Sequence, residues 1–145
     1  MRELQSAMDK LMSKEPMTFN EDYSLECLFH ESVHANKAGL KSSAYTPINY
    51  KLIEGCTQIY ARQNYVKILD AFGTKSAHFN TIKYAGYGYK ELVNKLRPFV
   101  TDKNGNLLEN DVLKIAHEES YPKDKFFSII KANNPNFSNA EIYNY

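Results

Sequence analysis

Long apolar runs, an excess of either charge and a set of cysteines are all missing from this sequence. Its longest apolar stretches fall far short of the roughly 20 residues a membrane-spanning helix needs, so no membrane partner is expected. Eighteen basic residues stand against 17 acidic ones, a net charge of +1. That balance provides no bulk attraction to nucleic acid or to an anionic membrane surface. Met1 to Met12 interleaves charged and apolar residues, without the basic start, apolar block and small-residue cleavage site of a signal peptide. Together these absences point to a cytoplasmic location. The two cysteines, Cys27 and Cys56, are too few for a disulfide framework, and there is no Cys-x-x-Cys pair. Both read as buried reduced thiols. Strands are also scarce: Met17-Thr18-Phe19 is the one short candidate.

What is present is the composition of a globular protein, 43% hydrophobic and 24% charged. The 145 residues suffice for one domain with a modest core, whether the chain stands alone or is part of a longer one. The elements read as helices, and the expected class is mainly α with little or no sheet. A first helix begins near Asn20, capped by Asn20 or Asp22, with Gly39 placed to end it. Leu25, Leu28, Phe29, Ser32, Val33 and Asn36 share most of one stripe. Thr46-Pro47 starts a second, a capping threonine followed by proline at the first helical position. Apolar residues from Ile48 through Leu52, Cys56, Ile59, Val66 and Leu69 carry it to Phe72, and Gly73 stops it. Residues 74–83 read as loop. A third helix runs through Leu92, Val93 and Leu96 and fades at Pro98. Asp102 to Asn106 is a turn; Asp111 to Glu119 and Lys123 to Ala132 are two shorter helices, and Ser138-x-x-Glu141 is a capping box opening a last one.

His30-Glu31-Ser32-Val33-His34 forms an H-E-x-x-H sequence inside the first helix. Residues i and i+4 project from one helical face, so His30 and His34 can converge on one metal ion, with Glu31 beside them as a general base toward water. A zinc site of this kind takes a third protein ligand and leaves a fourth position open. Glu54, in Leu52-Ile53-Glu54-Gly55-Cys56, stands on the next helix. Over roughly residues 25 to 65 the arrangement resembles the gluzincin group of zinc metallopeptidases, in which an H-E-x-x-H helix is followed by a Glu-Gly step on the next helix. Position by position, the resemblance implies His30, His34 and Glu54 as zinc ligands and Glu31 as catalytic base. Gly55 adds to it: a glycine inside a helix costs roughly 1 kcal/mol against alanine, which suggests close helix packing there.

The resemblance further implies a downstream tyrosine or histidine that stabilises an oxyanion; Tyr84, Tyr87, Tyr89 and His78 are the candidates. Tyr60 and Tyr65 read as structural, and His117 as a solvent-facing helix residue. The implied activity is hydrolysis of a peptide or amide bond in a peptide or protein substrate, with Zn2+ as cofactor. Such peptidases generally carry a sheet ahead of the H-E-x-x-H helix, whose edge strand aligns the substrate, and no sheet is legible here. The alternative is therefore a noncatalytic zinc-stabilised accessory module of a larger protein, such as a phage structural protein or a toxin.

Overall fold

The computed structural model describes residues 2–36, 46–118 and 122–143. It is helical, as expected, and the only strand-like pairing among the described residues is an isolated antiparallel bridge between Thr101 and Leu107. Among the described residues nine helices follow one another: α1 (Arg2–Ser13), α2 (Phe19–Ala35), α3 (Pro47–Asn64), α4 (Val66–Ala71), α5 (Phe79–Ala85), α6 (Lys90–Leu96), α7 (Glu109–Ala116), α8 (Pro122–Asn133) and α9 (Asn139–Tyr143). A 3₁₀ turn, Arg97–Val100, extends α6, so the chain continues through Pro98 rather than fading there.

The first helix of the chain was not expected. Leu4, Ala7 and Leu11 recur at steps of three and four, and Ala7 and Leu11 are buried against α2. Lys14, with φ of 58°, lets the Glu15 amide reach back to the Lys10 carbonyl and close the helix. The candidate strand Met17-Thr18-Phe19 is instead the entry to α2. Thr18, not Asn20 or Asp22, is the cap: its hydroxyl accepts from the Glu21 amide at 3.3 Å, and the Glu21 carboxylate accepts from the Thr18 amide at 2.8 Å. This reciprocal pair satisfies two donors at the helix start that would otherwise be orphaned. Asn36 closes α2; Gly39 lies outside the described residues.

Thr46 caps α3 through the Asn49 amide, with Pro47 in the first turn. The single helix expected from Thr46 to Gly73 is broken at Tyr65, however. Asn64 turns its side-chain amide back onto the Tyr60 carbonyl, while the buried Tyr65 ring sends its hydroxyl to Ser76. A local side-chain hydrogen bond thereby competes with the helical ladder, and α4 starts afresh. The residues expected as loop after Gly73 contain α5, a helix too short to leave a periodic pattern. The Asp102 turn is as expected: its carboxylate accepts from the amides of Asn104 and Asn106. So is the Ser138–Glu141 capping box.

Helix α3 is the axis of the fold, packed by α2, α5, α6, α7 and α8. Leu52, Cys56 and Ile59 on α3 meet Val93 and Leu96 on α6, Val112 and Ile115 on α7, and Phe126 and Ile130 on α8. A second cluster joins α1, α2, α4 and α5 through Leu11, Leu25, Leu69 and Ile82, with Tyr65 enclosed. Cys56 is buried as expected, and burial pushes its thiol up to about 12. Cys27 is exposed, contrary to the sequence reading, because its face of α2 borders a cleft. Leu28, expected on the buried stripe, is 39% exposed for the same reason. Among the described residues no helix is long and apolar enough to cross a membrane.

Candidate metal centre

Helices α2 and α3 meet along a polar seam rather than an apolar one. On α2, Asp22, Glu26, His30 and His34 follow at steps of four; on α3, Glu54, Gln58 and Arg62 do the same. Residues four apart share a helical face. Among these seven only His34 lies short of full burial. The pairing is antiparallel. Gln58 donates to the Glu26 carboxylate at 2.7 Å, and one turn along α2 Glu54 faces both histidines. Buried polar groups cost free energy unless partnered, so a seam of seven in a 145-residue chain calls for a functional reason.

At one end of the seam two imidazole nitrogens and one carboxylate converge. His30 Nε2 lies 3.0 Å from His34 Nε2 and 3.3 Å from Glu54 Oε2, and His34 Nε2 lies 3.0 Å from Glu54 Oε1. A tetrahedral ion bound by imidazole nitrogen and carboxylate oxygen at about 2.0–2.2 Å needs its ligand atoms roughly 3.3–3.5 Å apart. The three observed separations, two of which run to different oxygens of the one carboxylate, lie within a few tenths of an ångström of that requirement. Two neutral imidazoles and a carboxylate are also the donor set that borderline divalent ions prefer. Among the described residues this is the one group of three or more such side chains close enough to share an ion. The residues present therefore fit a metal.

The electrostatics agree. Burial pulls the His30 imidazole down, but the Glu54 hydrogen bond and the charges of Glu54, Glu26 and Glu31 outweigh it and raise its pKa above the ordinary value. Burial would raise Glu54, yet its contacts with His30, His34 and Tyr89 hold its carboxyl below the usual range. The three donors thus create a pocket that attracts positive charge.

Glu31 sits beside this cluster, exposed, on the wall of a cleft of about 350 Å³ that also contains His30, His34, Glu54 and Tyr89. Of the downstream candidates, Tyr89 is the one brought to the cluster. Its ring stacks on His30, centroids 6.2 Å apart and planes 11° from parallel, and it shares the cleft wall with Glu54 and Tyr50. Desolvation, then Tyr50 and Glu54, raise its pKa well above the ordinary phenol value, so the phenol keeps its proton.

Tyr84, Tyr87 and His78 are placed elsewhere. Tyr84 is 57% exposed and lies under the Lys83 and Arg97 side chains. Tyr87 presents its edge to Phe19 and Tyr23 at centroid distances of 5.5 and 5.6 Å. The His78 ring donates to the Met17 carbonyl at 3.1 Å, tying α5 to the entry of α2. His117 is not solvent-facing: it ends α7 half-buried and donates to the Val33 carbonyl at 3.1 Å, satisfying one of the last free carbonyls of α2. Tyr65 is buried and structural; Tyr60 is half-buried, its ring 6.3 Å from that of Phe29.

What sequence reasoning missed is how Tyr89 reaches the cluster. Arg62, fully buried on α3, donates from one Nη2 to the carbonyls of Gly86 (2.8 Å) and Gly88 (2.7 Å). The Gly88 amide donates to the Tyr23 hydroxyl at 2.6 Å. A β-carbon at Gly88 would meet that hydroxyl at 2.8 Å, so any larger residue there would have to push the Tyr23 hydroxyl aside. Tyr89 then turns into the left-handed region, φ 54°, an unusual conformation for a tyrosine. The signal for this machinery was the four-residue recurrence of polar residues on both helices, which a search for apolar stripes passes over. No protein-family model, curated protein or solved structure matches this chain.

Proposed function

We propose that the chain is a zinc-dependent hydrolase of the metallopeptidase type, with His30, His34 and Glu54 holding the ion. The observation that carries this reading is the cluster of three side chains with contacts of 3.0 to 3.3 Å, opening on the same cleft as Glu31. Bound there, zinc supplies Lewis acidity, activating water and polarising a carbonyl. Glu31, beside the cluster and facing solvent, accepts the proton of the attacking water and passes it to the departing amine. Tyr89, protonated and stacked on His30 in the same cleft, donates to the developing oxyanion in place of Tyr84, Tyr87 or His78.

Elemental mass spectrometry of purified protein tests the metal. About one zinc per chain is expected, lost in a His30→Ala, Glu54→Ala double variant. Absence of metal after zinc addition and dialysis would sink the reading. Glu31→Gln should keep the zinc and abolish peptide hydrolysis.

The absence of a sheet among the described residues favours a second reading, a metal-stabilised module without catalysis. In that case zinc removal would lower Tm while Glu31→Gln changed nothing.

A further inference from the structure

The cleft that contains the metal cluster opens on two different compartments. On one side it shares Tyr23, Cys27 and Glu31 with a groove between α1 and α2, completed by Glu3, Leu4 and Leu28. That groove, about 430 Å³, carries two carboxylates and no cation. On the other side it shares Tyr50, Glu54 and Tyr89 with a larger hollow of about 620 Å³. Lys51, Lys90 and Lys95 line this hollow together with Tyr87 and Glu91. All three lysines are exposed, and among the described residues none lies within ion-pair distance of a carboxylate. With Glu54 facing the two histidines, three ammonium groups are left against one carboxylate in this compartment.

No sheet edge is available among the described residues to hold a substrate backbone, so selection has to come from side-chain compartments. One flank repels anions and accepts apolar or cationic groups; the other offers ammonium groups and phenol hydroxyls. Resting on the hydrolase reading above, we infer that the preferred substrate is a peptide with a carboxylate on one side only of the bond presented to Glu31, held by Lys51, Lys90 and Lys95. The carboxylate belongs either to an acidic side chain or to a free C-terminus, since both present the same group to lysine and tyrosine. Electrostatic complementarity of this kind sets register and selects partners.

The test is calorimetric binding to the full chain carrying Glu31→Gln and loaded with zinc, which prevents turnover. The probes are alanine pentapeptides with one glutamate in the N-terminal half, one in the C-terminal half, or glutamine at either place, each with a free or an amidated C-terminus. The expected result is roughly tenfold tighter binding for acid in one half only. That preference should shrink with added salt and vanish in a Lys51→Gln, Lys90→Gln, Lys95→Gln triple variant. If only the free C-terminus matters, the carboxylate source is the chain end; if the glutamate position matters, it is a side chain. Equal binding of acid and amide, no binding at all, tightening by acid in both halves, or a preference that survives the triple variant would each overturn the inference. The zinc content of the same samples separates the two claims: zinc bound without acid preference removes this inference alone, and acid preference without zinc removes the hydrolase reading alone. Circular dichroism of the triple variant checks that these exposed substitutions leave the helices intact.

Discussion

A β-carbon placed on Gly55 would lie 2.3 Å from Cδ1 of Leu96, far inside any ordinary non-bonded contact of a β-carbon. Gly55 therefore brings α6 against α3 directly beside Glu54, and it does so at the helical cost of a glycine. In an open helix Gly→Ala would stabilise by about 1 kcal/mol. Here Gly55→Ala should destabilise by about 1–3 kcal/mol, because Leu96 is fully buried and has nowhere to move. Urea unfolding of Gly55→Ala, Leu96→Ala and the double variant gives the decisive comparison. In the Leu96→Ala background the added methyl should become neutral or favourable; equal penalties in both backgrounds would show that the contact is not the cause.

Arg62 touches no ligand atom, yet it holds the carbonyls on either side of Tyr87 and so sets where Tyr89 lies. Arg62→Met keeps the length of the side chain and removes the donor. Zinc affinity should fall roughly 10–100-fold, as it does when groups supporting metal ligands are lost. Tyr89→Phe should separate the two roles of that residue: affinity stays within a few-fold, while turnover falls roughly 10²-fold or more with the loss of the phenol proton. Unchanged zinc affinity in Arg62→Met would mean that the 86–89 segment keeps its place without the guanidinium.

That His30, His34 and Glu54 come together was legible because the spacing is local. His30 and His34 are one helical turn apart, and Glu54 follows a start signal at Thr46-Pro47 that fixes the phase of α3. The polar seam was equally local but hidden, since its recurrence at steps of four belongs to Asp22, Glu26, Gln58 and Arg62 rather than to apolar residues. Tyr89 was not distinguishable from Tyr84 or Tyr87. All three lie in one short stretch, and what selects among them is a contact from Arg62 to Gly86, 24 residues apart along the chain. The break at Tyr65 has the same character: the sequence pattern continues through it, and the tertiary partner Ser76 decides.

Glu26 gives the seam a pH signature. Burial raises its pKa from 4.5 to about 7, with Arg62, His30 and the Gln58 hydrogen bond opposing. An acid whose folded pKa lies above its unfolded value binds more protons in the folded state, so folding stability falls as pH rises from about 4.5 to about 7. Glu26→Gln can still accept from Gln58 and carries no titrating proton. Denaturant unfolding between pH 5 and about 7.5 should therefore show a decline in the wild type that is weaker in Glu26→Gln by up to one proton's worth of slope. His30, raised in pKa, adds a loss of its own at the upper end in both proteins, so the difference between them is the quantity to read. Parallel curves would place the Glu26 pKa outside this window.

At the other end of α2 the sign reverses. The Glu21 carboxylate accepts from Lys10 at 2.8 Å, from Ser6 at 2.6 Å and from the Thr18 amide, and these bonds hold its pKa at about 2 against an ordinary 4.5. A depressed acid contributes stability above its unfolded pKa and loses it as pH falls through the folded one, here from about 4.5 down to about 2. The same carboxylate joins Lys10 of α1 to the cap of α2, so the loss should appear first as opening of α1. Relative to the intrinsic exchange rate at each pH, the protection of the Ala7 and Leu11 amides should fall over that acid range in the wild type. In Glu21→Gln that protection should already be lower at neutral pH and change little on acidification. Thr18→Ala, which removes the partner hydroxyl of the capping box, should cost about 1 kcal/mol at every pH. If the Glu21→Gln protein follows the wild-type acid profile, Glu21 does not fasten α1, and the apolar contacts of Ala7 and Leu11 alone keep that helix in place.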